Sequence, residues 1–126
     1  MSAIVYDAGV LIAADKNERR VWAEHRVRLE AGILPCVPAP VVAQVSRSSR
    51  QVQLRRLLAG CDTIPLDEAV AHRAGALLAM SHTTDIVDAS VVALAELYAA
   101  SILTSDANDI ACLVTAAGLR LAIIDI

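Results

Sequence analysis

Short apolar runs alternating with helix-length segments constrain this chain more than any other feature. The runs cover residues 3–6, 33–37, 61–66, 101–104 and 121–124. Between them, helices are expected over roughly 9–14, 17–30, 40–47, a stretch ending near 58, then 68–80, 85–99 and 106–117. A strand followed each time by helical chain is the pattern of an α/β fold with a largely parallel sheet.

Local punctuation agrees with these boundaries. Gly9 permits a tight turn after the first run, Asn17 is a candidate cap for the second helix, and Gly32, Gly60 and Gly118 are stop signals. Pro40 suits the first turn of a helix, Ser48-Ser49 reads as a break, and Asp67 is placed to cap. In the second helix Val21, Trp22 and Leu29 are expected to face the core, with Arg19, Arg20, Glu24, Arg26 and Arg28 solvated.

The chain has 126 residues, with no internal repeat and no linker-like stretch, so a single domain over 1–126 is expected. Hydrophobic residues make up 56%, yet the only aromatics are Tyr6, Trp22 and Tyr98; the core must be Ala, Val, Leu and Ile. Cys36, Cys61 and Cys112 form no paired or metal-binding spacing, so buried reduced thiols in a cytoplasmic protein are expected. No leader-like segment opens the chain, and Pro35, Pro38 and Pro40 interrupt the most apolar early stretch.

Acidic residues carry the chemistry. Ile4-Val5-Tyr6 runs into Asp7; Thr84-Asp85-Ile86-Val87-Asp88 places two carboxylates at the start of an apolar helix; Thr104-Ser105-Asp106-Ala107-Asn108-Asp109 repeats the pattern after the fourth run. Asp85 and Asp106 stand where helix caps are wanted, and Asp88 and Asp109 where a carboxylate favours the helix dipole, so capping accounts for either pair alone. It does not account for Asp7, a carboxylate ending a buried strand with no Lys or Arg close in sequence. In parallel sheets ligands bind beyond the carboxyl ends of the strands, so Asp7, Asp106 and Asp109 converge if the first and fourth strands are neighbours. Periodicity alone does not bring Asp85 and Asp88 to the same place.

Carboxylates without accompanying His or Cys point to a hard cation, Mg²⁺ or Mn²⁺, and to hydrolysis of a phosphodiester by a metal-activated water. The net charge of −3 is unusual for a nucleic-acid binder, but two divalent cations add four charges and bring it to +1. The densest basic stretch holds Arg47, Arg50, Arg55 and Arg56; Arg47 and Arg50 are candidate phosphate contacts, the alternative being an exposed helix face. His25, His72 and His82 are scattered and read as surface or partly buried; only His82 is near the acidic helix.

Taken in order, Ile4-Val5-Tyr6-Asp7, Asp85-Ile86-Val87-Asp88-Ala89-Ser90-Val91-Val92-Ala93 and Ile102-Leu103-Thr104-Ser105-Asp106-Ala107-Asn108-Asp109 resemble a PIN domain, and more narrowly the VapC-type toxins of bacterial toxin–antitoxin pairs. The resemblance covers nearly the whole chain. It implies a Rossmann-like three-layer fold, with a central, mostly parallel sheet flanked by helices. It also implies Mg²⁺-dependent endoribonuclease activity (Mn²⁺ able to substitute), with a structured RNA such as tRNA as substrate. A homodimer and a cognate VapB-like antitoxin, presenting a basic side chain to the acidic pocket, are the implied partners. Residue by residue, Asp7, Asp88 and Asp106 would be metal ligands, and Asp109 would complete the catalytic set. Asp85, Thr104 and Ser105 would support it.

The sequence departs from the family pattern once. The third helix of such proteins carries a Glu, and here Gln44 is aligned with it; an amide coordinates through its oxygen but carries no charge and is no base. A PIN domain weakened or inactive as a nuclease, acting as an RNA- or antitoxin-binding module, is therefore the alternative. Leu11, Ile12 and Trp22 lie where such proteins dock an antitoxin or a second copy, and equally where a core is expected. A phosphoacceptor receiver domain lacks support, since Ala8 follows Asp7 and the only Lys is Lys16.

Overall fold

The computed structural model describes residues 3–126, so Met1 and Ser2 of the expected domain lie outside the described residues. Five strands, β1 (Ile4–Tyr6), β2 (Cys36–Pro38), β3 (Asp62–Ile64), β4 (Ser101–Thr104) and β5 (Ile123–Asp125), form one sheet in the order β3-β2-β1-β4-β5. Every pairing is parallel. Seven helices flank it among the described residues: α1 (Ala8–Asp15), α2 (Arg19–Glu30), α3 (Ala39–Val45), α4 (Val52–Ala59), α5 (Glu68–Ser81), α6 (Ile86–Tyr98) and α7 (Ala107–Ala116). This is the expected three-layer α/β arrangement. No single described helix is long and apolar enough to cross a membrane.

The sheet order follows from burial. Val5 and Tyr6 in β1 and Ile102, Leu103 and Thr104 in β4 are almost completely buried, the requirement for central strands covered on both faces. α6, buried continuously from Ala89 to Ala95, lies against β1, β2 and β4, which is the contact the acidic helix needs to reach the first strand. Chain order changes direction between β1 and β4, so the switch point opens between those two strands.

Several boundaries differ from the sequence reading. β2 begins at Cys36 rather than 33, and β3 stops at Ile64 because Pro65 offers no N–H to continue the ladder. α3 ends at Val45, not 47. Asn17 does not cap α2: it takes a left-handed backbone (φ 58°) in the turn after α1, a conformation Asn tolerates, and Glu18 precedes α2 without a side-chain cap. Gly118 (φ 67°) follows α7 in the same backbone region, which suits its expected role as a stop.

The expectation of three buried thiols is corrected. Cys36 and Cys61 are half-buried, with burial pushing the Cys61 thiol up to about 12, whereas Cys112 is exposed on α7. Three α2 expectations also fail. His25 is buried, and Arg28, expected in solvent, is mostly covered; Leu29 is exposed instead. The reason lies in β1. The Tyr6 ring is fully buried under α2, and its hydroxyl needs partners there: it lies 2.8 Å from His25 Nδ1 and accepts from Arg28 Nη1 at 3.1 Å. Arg28 donates to that oxygen, and the His25 tautomer decides which atom donates in the bond between the hydroxyl and Nδ1. Burial, and then Arg28, hold His25 below its usual pKa, in keeping with a neutral imidazole. Tyr6→Phe leaves that nitrogen buried and unpaired, so a loss of about 1–3 kcal/mol in urea unfolding is expected; an unchanged midpoint would show that the trio adds nothing.

Candidate active site

Three strands end together at the switch point. The β1–β4 register pairs Tyr6 with Leu103, so the next residues, Asp7 and Thr104, stand side by side, and Thr104 is paired in turn with Asp125 of β5. Asp7 is only 2% exposed. Its Oδ1 accepts from the Ala8 N–H at 2.7 Å, capping α1, and its Oδ2 accepts from Thr104 Oγ1 at 2.6 Å. Thr104 Oγ1 also accepts from the Asp106 N–H at 2.9 Å. One buried hydroxyl thus ties the end of β1 to the loop that starts α7.

Asp85 and Asp88 have separate geometries. Asp85 Oδ1 accepts from the Asp88 N–H at 3.0 Å, the bond of a helix N-cap, while Asp88 lies inside the first turn of α6. Asp106 occupies the N-cap position of α7 but makes no side-chain capping bond, and Asp109 falls in the first turn of the same helix.

Electrostatics show that these groups converge. Asp88 is pushed up to about 7, first by burial and then by Asp85, Asp7, Asp109 and Asp106. Asp7 is raised by burial, against the pull of its hydrogen bonds from Thr104 and Ala8, and further by Asp106 and Asp85. Among the described residues none of the five carboxylates is paired with Arg, Lys or His. Nor do any three carboxylate, imidazole or thiol groups already form a metal-binding cluster among those residues. The carboxylates therefore share a field without being closed into a cage. Oxygen-only donors with uncompensated negative charge fit a hard divalent cation better than any softer one.

Asp109 is the partition between two clefts of about 290 Å³ each. One is bounded by Asp85, Asp88 and Cys112, the other by Ser105, Asp106 and Asp125. The sequence reading misses Asp125, because it ends the last strand at Ile124. A signal for it exists: an acid at the end of a short apolar run, as at Asp7.

The remaining candidates lie differently. Gln44 is exposed on α3 and lines neither acidic cleft. Arg47 folds back on its own helix end, its Nη1 donating to the carbonyls of Ala43 (2.8 Å) and Ser46 (2.9 Å); Arg50 is exposed. Arg56 stacks over Trp22, 5.3 Å from the ring centre. His82 ends α5 in a left-handed conformation and is exposed. Leu11 is buried while its neighbour Ile12 is 42% exposed.

Residues 4–111 match the model of the PIN domain. The chain belongs to the PIN domain family. The sequence matches no curated protein. Solved structures similar to this PIN domain include VapBC2 from Rickettsia felis bound to a DNA fragment from its promoter, at 14% identity and TM-score 0.69, covering 98% of each chain. A toxin–antitoxin complex from Klebsiella pneumoniae is 20% identical with TM-score 0.67, covering 86% of this chain and 90% of that one. FitAcB from Neisseria gonorrhoeae is 17% identical with TM-score 0.66, covering 97% and 96%. At these identities the likeness is one of fold. PIN domains are generally nucleases that use divalent metals, which makes the acidic switch point the place to look for hydrolytic chemistry.

Proposed function

We propose that this PIN domain is the toxin of a toxin–antitoxin pair, a VapC-type endoribonuclease dependent on Mg²⁺ or Mn²⁺. The observation that carries this reading is the placement of Asp7, Asp88, Asp106 and Asp109 about the switch point, none of them paired with a basic side chain among the described residues. The similar structures, one of them a toxin–antitoxin complex and another VapBC2, support an antitoxin as partner.

Asp7, Asp88 and Asp106 are the residues to hold the cation, with Asp109 beside them. When bound, such a cation supplies a water acidic enough to attack phosphorus and positive charge for the leaving oxygen. The chain contributes position. Thr104 keeps Asp7 Oδ2 oriented and fixes the start of α7, so the carboxylates from β1 and α7 keep their separation. Asp85, with one oxygen committed to its own helix, stays at the rim. Hydrolysis in this manner leaves 5′-phosphate and 3′-hydroxyl ends, and a structured RNA such as tRNA is the expected substrate class. A homodimer and a VapB-like antitoxin whose basic side chain neutralises the acidic pocket complete the proposal.

The test is cleavage of RNA by purified protein freed of any partner, with Mg²⁺ or Mn²⁺ and with chelator. Metal-dependent cuts that disappear in chelator are expected. No cleavage with either metal, together with undiminished toxicity of Asp7→Ala, would overturn the reading. Gln44, an amide where such proteins carry a Glu, favours one second reading, a PIN domain that binds RNA or antitoxin without cutting. Calorimetric titration separates them, because that module would take up no Mg²⁺ or Mn²⁺ at millimolar concentration.

A further inference from the structure

The cleft on the α6 side of Asp109 has features that metal binding does not use. Beyond Asp88 and Asp109 its lining includes Thr83, Thr84, Asp85 and an apolar floor of Cys112 and Leu113. We propose that this cleft seats the nucleoside adjoining the phosphodiester that is cut, with Thr84 and Asp85 as its hydrogen-bonding contacts; the inference rests on the nuclease reading above and names a subsite for it.

Position, charge and chemistry each bear on the occupant. Asp88 and Asp109 are walls of the cleft, so whatever fills it is contiguous with a phosphate held at the carboxylates. Asp85 is the one carboxylate of the lining not assigned to the cation, and no Lys or Arg lines the cleft, so a second phosphate finds no cationic partner there and the neutral part of a nucleotide, ribose and base, is the matching ligand. Its volume of about 290 Å³ is just below the usual range for small-molecule sites, room for no more than one nucleoside.

The hydrogen-bonding groups are specific. Thr83 Oγ1 is committed to Ser81 Oγ at 2.7 Å, leaving Thr84 as the free hydroxyl of the pair. One oxygen of Asp85 caps α6, and the other is available as an acceptor. An ionised carboxylate only accepts, so it favours ribose hydroxyls and base edges bearing amino groups, and disfavours uracil, whose single ring N–H stands between two carbonyls. No aromatic side chain lines the cleft, so the base lies against Leu113 and Cys112 rather than stacking on a ring.

Cys112 supplies a direct readout, because it is exposed while Cys36 and Cys61 are half-buried. Maleimide labelling is followed residue by residue by mass spectrometry, in Mg²⁺, with and without a phosphorothioate-linked RNA that resists cutting with that metal. At ten times its Kd the RNA is expected to slow labelling of Cys112 about tenfold and leave Cys36 and Cys61 unchanged. In cleavage assays on unmodified RNA, Thr84→Val is expected to raise KM about fivefold at constant kcat, the loss of one binding hydrogen bond. RNA that is cut normally while Cys112 labels at its free rate, or a Thr84→Val effect confined to kcat, overturns the subsite and leaves the nuclease standing. RNA that is neither bound nor cut overturns both.

Discussion

Asp88→Asn is expected to abolish cleavage and, at pH 8, to make the protein more stable. The two effects have one cause. Asp88 is half-buried among four other carboxylates without a compensating cation, and its pKa stands at about 7 instead of 3.8. A carboxyl group whose folded pKa is raised gives its full stability below the unfolded value, near 4, and loses it as pH rises through the folded value, near 7. Above pH 7 the folded protein therefore carries the whole cost of the ionised group. Allowing for solvent screening at a partly exposed site, Asn should recover about 1–2 kcal/mol at pH 8 and almost nothing at pH 4. Urea unfolding at both pH values measures this, and equal stability at both would refute the electrostatic account. Activity should fall by at least about a hundredfold, since a neutral amide cannot replace a charged metal ligand. Mn²⁺ should raise the melting temperature of the unmodified protein and have much less effect on the variant.

Gly9→Ala is the second large effect, and it acts through shape. Gly9 sits in the first turn of α1, and the loop between β4 and α7 crosses directly over it. A Cβ at Gly9 would stand 2.7 Å from Ser105 Cβ, and closer still to Ser105 Oγ. The hydroxyl can rotate away, but the Cβ moves only with its backbone, and that backbone leads immediately to Asp106. A loss of about 1–3 kcal/mol is expected from overpacking, with reduced activity because Asp106 shifts relative to Asp7. Ser105→Gly in the same chain should restore most of the stability by removing both clashing atoms. Failure of the double variant to recover would place the cost of Gly9→Ala elsewhere.

Much of this architecture is legible in the amino-acid sequence. The alternation of runs and helices suffices for a parallel α/β sheet, because each strand end is marked by an acid, a proline or a turn residue. Asp7 stands out since a carboxylate after a buried apolar run has few explanations. What a linear chain of residues does not carry is adjacency. Nothing local to β1 states that its neighbour is β4, and the convergence of Asp7 with Asp106 depends wholly on that pairing. Asp125 escapes for a local reason, a last strand ended one residue early, although its place beside Thr104 is a long-range fact. The errors on α2 have another origin. Arg28 reads as solvated on helical periodicity and His25 as surface or partly buried; both are drawn inward by a buried hydroxyl, nineteen residues before the histidine. Polar partners of a buried polar atom do not follow the apolar stripe.

The bond from Thr104 to Asp7 spans 97 positions of the chain. During synthesis, β1 leaves the ribosome first and cannot find its central neighbour until β4 has been made. Until then Asp7 ends a strand with an open flank, and the acids of α7 do not yet exist. Local contacts cannot assemble such a centre early, because loop closure over that distance comes late in folding. A nascent or truncated chain lacking β4 thus has no assembled acidic centre. The centre is complete only when nearly all of the chain has been translated.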